Sequence, residues 1–322
     1  MSQRMTSFEQ PEAQPSFVQI VERLCEVSVR KPHDPFRDIA WDAHDTAIDP
    51  RDPRFRLRPN EPLGATAWYA ALPVDEQARL GLALLCQSME FGIALENTLS
   101  RGLLTFVHAR HERSAVARYA LHEVIEESRH SLMFRTFVDR SGCPPVRLGR
   151  VDTWLSFRIA ELAPWFPELF FVWVLAGEIF VDDDNRRQLK HRSELHPLVA
   201  QILQIHVTEE ARHMRFADRY IAEHFAIVSE PGKALVRAAA PTILRENARV
   251  MLQPCAATVK RFGIPPSVLR EAYGLGTAHQ ARVDAVAAPV LALLREPPRL
   301  AASAANKPTA SPITTAATPP AA

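Results

Sequence analysis

The chain contains two copies of a short pattern whose residue types can bind metal ions. EESRH spans residues 126–130 and EEARH spans residues 209–213. Each copy includes Glu-x-x-His, and on a helix side chains at i and i+3 lie on one face, one turn apart, within reach of one ion. A single pair is also typical of a solvated helix surface, but two copies within one five-residue pattern favour a metal site. The pairs are Glu127 with His130 and Glu210 with His213.

The two pairs predict a site for two metal ions if further glutamates face them. In ferritin-like bundles, two Glu-x-x-His helices and one glutamate from each of two other helices form a di-iron carboxylate site. On the first of those helices Glu96 has apolar residues one turn before and after it, and Glu90 stays as the alternative. On the third, Glu178 is the one ionisable residue of the apolar run 169–181, where an unpaired carboxylate would be costly. Four such glutamates neutralise two divalent ions.

Polar residues beside the predicted ligands also repeat. His206 lies four residues before Glu210 and therefore shares its helix face. Glu123 stands at the equivalent position before Glu127, so we expect it at the site or its rim. A metal-bound histidine commonly donates its other N–H to a carboxylate, and the glutamates that precede the ligands are candidates for this role. The expected outer residues are Glu123, Glu126, Glu209, Arg129 and Arg212.

In chain order, the predicted ligands are a glutamate, Glu-x-x-His, a glutamate and His-x-x-x-Glu-x-x-His. This order resembles the para-aminobenzoate N-oxygenase family of di-iron enzymes, over roughly residues 75–225. The positions that carry the resemblance are Glu96, Glu127, His130, Glu178, His206, Glu210 and His213.

The resemblance implies an oxidoreductase that activates dioxygen at two irons and oxidises the nitrogen of an arylamine through the hydroxylamine towards the nitro compound. It implies that His206 completes the coordination of one iron, and it suggests a homodimer. An external reductase or reductant is expected to supply electrons, because the chain has no G-x-G-x-x-G fingerprint for a flavin or nicotinamide. Manganese in place of iron stays open.

Other functions of the same bundle agree less well with the residues. A ribonucleotide reductase radical subunit would carry a tyrosine about one turn after the first Glu-x-x-His, where this chain has Phe134. Iron storage requires only a short shell-forming bundle, without a third histidine. A desaturase or hydroxylase acting on a C–H bond uses four glutamates and two histidines, with no evident need for His206. The C–H oxidation and the non-catalytic iron-binding alternatives stay open.

Long helices must position these residues. Proline-free windows with apolar residues at three- and four-residue spacing predict an all-α fold, a ferritin-like four-helix bundle core with flanking helices. A connection over 141–166 joins the second and third bundle helices. The bundle helices are expected at 74–106, 113–140, 168–190 and 196–225, and flanking helices at 17–29, 232–262 and 266–294.

Composition limits the remaining classes. The 322 residues carry 38 Lys+Arg and 37 Asp+Glu, which excludes a nucleic-acid binder that relies on a broad basic field. The apolar run 169–181 is too short to span a bilayer, and the N-terminus has no apolar signal segment. Four scattered cysteines indicate cytosolic thiols. We therefore expect a cytoplasmic protein with one oxygenase domain over 16–295, a flexible 1–15 and a disordered Ala/Pro/Thr-rich tail over 296–322.

Three smaller expectations concern packing around the site. Trp154, Trp165 and other aromatic residues are expected in the core. The acidic run 182–184 is expected to end the third bundle helix in solvent. Gly92 and Gly177 lie beside predicted ligands, where a missing side chain would leave room for dioxygen or substrate.

Overall fold

Four long helices form the centre of the computed structural model, which describes residues 15–110 and 113–295. Their ends lie within a few residues of the predicted positions, and the described residues contain no strand. The helices are α1 (Phe17–Arg30), α2 (Ala67–Ala70), α3 (Val74–Arg110), α4 (Ala115–Ser141), α5 (Arg150–Leu162), α6 (Pro167–Leu189), α7 (Pro197–His224), α8 (Glu230–Leu252), α9 (Ala256–Phe262), α10 (Pro266–Tyr273) and α11 (Ala278–Arg295).

Local sequence signals set the ends of the bundle helices. Ser114 caps α4 by accepting a hydrogen bond from the Ala117 N–H, and Gly142 ends α4 with a left-handed φ of 64°. Proline occupies the first position of α6 and of α7, where its missing N–H costs no helical hydrogen bond. These signals leave both Glu-x-x-His pairs in helix interiors, where the backbone holds their spacing.

The bundle is ferritin-like, as predicted. Helix α3 packs along α4, α6 packs along α7, and α4 contacts α7 across the bundle. Helix α5 lies in the connection between α4 and α6 and packs on α3, while α1, α8 and α11 cover the outside of the bundle. Aromatic side chains fill one end of the core, where the ring centroids of Phe171 and Tyr220 are 4.4 Å apart.

Helix α3 also contains an apolar stretch that is long enough to be considered as a membrane-spanning segment. By length and composition, Val74–Ala109 is the one helix of the described ranges able to cross a membrane. Of its most apolar window, 61% is buried inside the protein, as in the core helix of a bundle.

Two predicted flanking helices are interrupted. The segment predicted at 232–262 forms α8 and α9, because Gln253 precedes Pro254 and adopts an extended backbone. The segment predicted at 266–294 forms α10 and α11, separated by residues 274–277, where Gly276 has a φ of 79°. Pro254 and the glycines at 274 and 276 are sequence signals for both interruptions.

Two packing expectations are wrong. Trp154 on α5 is 58% exposed and Trp165 is 86% exposed, because both lie on the outer side of the connection between α4 and α6. The run 182–184 neither ends α6 nor lies free in solvent. Asp182 pairs with Arg186, and the next two aspartates pair with Arg282 of α11.

The two glycines beside the predicted ligands serve helix packing instead of leaving room. A Cβ on Gly177 would lie 2.6 Å from a methyl carbon of Leu95, and one on Gly92 would lie 3.1 Å from the ring of Phe134. Two expectations concern the ends of the chain, a flexible segment 1–15 and a disordered tail 296–322. Residues 1–14 and 296–322 lie outside the described residues.

Candidate metal centre

All seven residues predicted as ligands lie together inside the bundle. Their donor atoms form two overlapping groups, and within each group the atoms are at most 4.8 Å from one another. Every member is at least 96% buried. The first group is Glu96, His130, His206 and Glu210, and the second is Glu127, Glu178, Glu210 and His213. Because Glu210 belongs to both groups, its carboxylate joins them into one cluster.

Close approaches between histidine nitrogens and carboxylate oxygens define the centre of the cluster. His213 Nδ1 lies 2.7 Å from Glu127 Oε1, and His130 Nδ1 lies 3.2 Å from Glu127 Oε2. Glu210 Oε1 lies 3.3 Å from His130 Nδ1 and 3.4 Å from His206 Nε2. Each of the three histidines therefore turns one ring nitrogen towards the carboxylates.

Several of these buried atoms have no hydrogen-bond partner among the described residues. They include both oxygens of Glu178; the close approaches of Glu210 and of His213 Nδ1 given above lack hydrogen-bond geometry. Buried polar atoms in folded proteins almost always have a partner, so unsatisfied carboxylate oxygens require another source of compensation. Carboxylates and imidazoles are also the donors that iron or manganese takes in such bundles, where the usual set has two histidines. The residues present fit a pair of divalent ions.

The outer nitrogens of two histidines bind carboxylates in a crossed arrangement. His130 Nε2 of α4 lies 2.9 Å from Glu209 Oε2 of α7, and His213 Nε2 of α7 lies 2.8 Å from Glu126 Oε2 of α4. Each motif therefore supplies the outer partner of the other motif's histidine. Such a partner fixes the tautomer in which Nε2 carries the proton and Nδ1 offers a lone pair.

The two arginines of the repeated pattern differ in position. Arg212 is buried, and its Nη2 lies 2.8 Å from Glu126 Oε1 and 3.3 Å from Glu209 Oε1. Arg129 is half-exposed and makes no hydrogen bond or ion pair within the described ranges, so no contact joins it to the centre. Sequence repetition indicated equal roles, but only Arg212 lies between the two outer carboxylates.

His33 is a neighbour of the centre that the sequence did not indicate. It follows α1, and its Nδ1 lies 3.1 Å from Glu209 Oε1. Its side chain is 28% exposed, so it links the buried Glu209 to the surface. Because His33 is 176 positions from Glu209 in a segment without regular structure, no spacing pattern could have identified it.

Asn185 is a second residue that the sequence analysis missed. It is buried on α6, and its side-chain amide lies 3.2 Å from His206 Nδ1. The amide nitrogen Nδ2 is the atom that faces the ring, so Nδ1 accepts from Asn185. With the amide turned over, Nδ1–H would donate to its oxygen, and Nε2, which faces Glu96 and Glu210, would keep a lone pair. Asn185 follows Glu178 by seven residues, two helical turns on the same face, so spacing alone could have found it.

The two remaining candidates, Glu123 and Glu90, lie in different surroundings. Glu123 is fully buried beside the cluster, and neither of its oxygens has a hydrogen-bond partner among the described residues. Burial and nearby carboxylates raise the pKa of Glu123 well above its ordinary value. Glu90 lies outside both donor groups and forms two 3.0 Å hydrogen bonds with Arg135.

Electrostatics divides the cluster into protonated and charged groups when it holds no metal. Burial and neighbouring carboxylates raise the pKa values of Glu96 and Glu178 well above the usual range. Burial and the charge of Glu127 oppose ionisation of Glu210, but His213 and His206 outweigh them and lower its pKa to about 2. Burial lowers the pKa of His206 to about 4, so its ring is neutral at pH 7. Protons therefore occupy Glu96 and Glu178, two of the four carboxylates that metal ions would neutralise, while Glu210 stays charged.

A cavity of about 270 Å³ reaches the cluster from one side. Four predicted ligands line it, and Phe134, Leu95 and Leu203 contribute apolar surface next to them. Its polar ligand face and apolar walls suit a small organic molecule. The four ligands on the cavity are Glu96, Glu178, His206 and Glu210.

Comparison with known proteins gives concordant results. The model of a family described as P-aminobenzoate N-oxygenase AurF matches residues 14–297. The chain is 32% identical over 257 residues to the uncharacterized protein Rv0885 of Mycobacterium tuberculosis and to the uncharacterized protein Mb0909 of Mycobacterium bovis. In each case the alignment covers 80% of this chain and 76% of the relative.

Proposed function

Since the chain belongs to the di-iron P-aminobenzoate N-oxygenase family, we propose that it uses dioxygen to oxidise the nitrogen of an arylamine. The observation that carries the proposal is the meeting of two donor groups at Glu210, next to a cavity that four of the ligands line. A substrate bound in the cavity would then lie against the residues that hold the irons.

We assign one iron to Glu96, His130 and His206, and the other to Glu127, Glu178 and His213. Glu210 belongs to both donor groups and could contribute to either. Glu90 is assigned to its ion pair with Arg135, which occupies both of its oxygens. Two bound irons supply the redox chemistry that activates dioxygen.

The protein's own residues orient the ligands and control their protons. Glu209 and Glu126 hold the N–H of His130 and His213, so their Nδ1 atoms stay available to metal. Asn185 would do the same for His206 with its amide oxygen turned to Nδ1. Arg212 balances the charge of the two outer carboxylates. Burial of at least 96% of every ligand limits the access of bulk water to the side that the cavity reaches.

The proposed reaction requires electrons from outside the chain. In the first oxygenation, the amine, dioxygen, two electrons and two protons give the hydroxylamine and water, with a new N–O bond in place of one N–H bond. The net reaction of the second stage converts the hydroxylamine and a second dioxygen into the nitro compound and water, without further electrons. We assign the supply of electrons to a reductase or a small reductant, because the chain has no dinucleotide-binding fingerprint.

Two further assignments complete the proposal. We place the protein in the cytosol as a homodimer, in line with its four free cysteines and with the family resemblance. We also assign residues 16–295 to one domain, because α1, α8 and α11 share a hydrophobic core with the bundle.

The test begins with metal-free protein reconstituted with ferrous iron under nitrogen. We expect two irons per chain and, after reductant and oxygen are added, hydroxylamine or nitro products from an arylamine panel. His206→Ala should lower iron content and abolish oxidation of the panel, while His122→Ala on α4, outside both donor groups, should leave both unchanged. Bound iron without oxidation of any amine would contradict N-oxygenation, and C–H oxidation of the same compounds would favour a hydroxylase.

A further inference from the structure

The cavity extends from the metal cluster to a second polar region. Asp184 lies six residues after Glu178 on α6, which places its backbone roughly 9 Å further along the helix axis. A single aromatic ring with para substituents bridges such a span. We call this region the distal wall, and it consists of Glu61, Asp184, Tyr273, His279 and Arg282.

The arginine of the distal wall is already bound by carboxylates. Arg282 Nε lies 2.6 Å from Asp183 Oδ2, and Arg282 Nη2 lies 2.9 Å from Asp184 Oδ1. Two aspartates and one arginine leave one net negative charge, before Glu61 is counted. An anionic ligand would have to displace an aspartate to reach the guanidinium.

The two arginines nearest Glu61 have other hydrogen-bond partners. Arg58, which lies near Glu61, pairs with Glu194 at 3.4 Å. Arg187 donates to the backbone carbonyl of Asn60 and does not line the cavity. Burial and the charge of Asp184 raise the pKa of Glu61 to about 7, so a carboxylate already ionises poorly there.

The other two members of the wall offer uncharged hydrogen-bonding groups. His279 is 5% exposed, and its Nδ1 has no hydrogen-bond partner among the described residues. Burial and Arg282 lower the pKa of His279, so the ring is neutral at pH 7. Tyr273 meets that ring edge-on at 5.0 Å, and burial raises the pKa of its phenol. A neutral imidazole and carboxylate oxygens together suit a ligand that donates hydrogen bonds.

We propose that the distal wall selects arylamines whose far end is a hydrogen-bond donor without negative charge, and that it rejects para-carboxylates. This inference rests on the proposed function, because it places the amine of the substrate at the metal cluster. Within a family described by p-aminobenzoate, this chain then acts on a substrate of different charge. A primary carboxamide or an alcohol at the para position has the required chemistry.

The test compares two ligands that differ in charge at one end. Calorimetric titration of the iron-reconstituted protein under nitrogen gives dissociation constants for 4-aminobenzamide and 4-aminobenzoate without turnover. We expect the amide to bind at least tenfold more tightly. Asp184→Asn removes one of the two carboxylates that bind Arg282. It should therefore tighten 4-aminobenzoate binding at least fivefold and change amide binding less. Asp218→Asn, which removes a carboxylate beside Arg219 on α7, is the matched control and should change neither constant.

A second variant tests the same charge effect if Asp184→Asn does not fold. Glu61→Gln removes the other carboxyl of the wall and should also tighten 4-aminobenzoate binding. Equal or tighter binding of 4-aminobenzoate to the unmodified protein would overturn the selectivity and leave N-oxygenation standing. Failure of both compounds to bind would overturn the inference as well. Selective binding of the amide without oxidation once oxygen and reductant are added would support the distal wall and contradict the proposed function.

Discussion

Replacing Arg212 tests the charge balance around the metal centre. The residue is 6% exposed and lies within 3.3 Å of the carboxylates of Glu126 and Glu209, which hold the two crossed histidines. Arg212→Met keeps the length of the side chain but leaves two buried carboxylates without their shared cation. Removing one partner of a buried ion pair costs about 3–5 kcal/mol. We therefore expect the free energy of unfolding to fall by about that amount.

The matched control is the equivalent arginine of the first motif. Arg129→Met makes the same chemical change on the same type of helix, but Arg129 is half-exposed and has no ion pair in the described ranges. Its effect should stay within about 0.5 kcal/mol. Urea denaturation of the metal-free proteins at pH 7, followed by helical circular dichroism, measures both values without a contribution from metal release.

Iron affinity provides a second readout of the same change. Loss of outer partners of metal-bound histidines typically costs 10–100-fold in affinity. We expect a loss in this range for Arg212→Met and none for Arg129→Met. If the two variants unfolded within 1 kcal/mol of each other and bound iron equally well, the crossed carboxylates would not depend on Arg212, and our reading of the repeat would be refuted.

Three further predictions follow from the contacts around the centre and cavity. Glu178→Gln should reduce iron content from two to about one per chain, whereas Glu90→Gln should retain two; equal content would contradict the assignment. Folded Glu61 holds its proton up to about pH 7 instead of 4.5, so stability should fall by up to about 3 kcal/mol as pH rises through this window; Glu61→Gln should abolish that slope in urea titrations. Gly177→Ala should destabilise by about 1–3 kcal/mol through contact with Leu95, and added Leu95→Ala should restore part of this in thermal unfolding.

Local spacing accounts for what the sequence predicted. The bundle helices and the convergence of the seven candidate ligands depend on apolar periodicity and on i, i+3 and i, i+4 positions, which are properties of single helices. The contact of His33 with Glu209 and the pairing of Arg282 with Asp184 join segments about a hundred or more positions apart. Spacing along the chain carries no information about such contacts. The outward position of Trp165 likewise depends on how α5 docks, because composition does not specify which side of a connection is covered.

Isotope labelling of the product tests the central claim most directly. The iron-reconstituted protein is supplied with 4-aminobenzamide, a chemical reductant and ¹⁸O-labelled dioxygen, and the products are analysed by mass spectrometry. The account predicts a hydroxylamine that carries one labelled oxygen on its nitrogen, followed by the labelled nitro compound. Protein that holds two irons per chain but forms neither product from this or any other arylamine, or that introduces the label only at carbon, would contradict it.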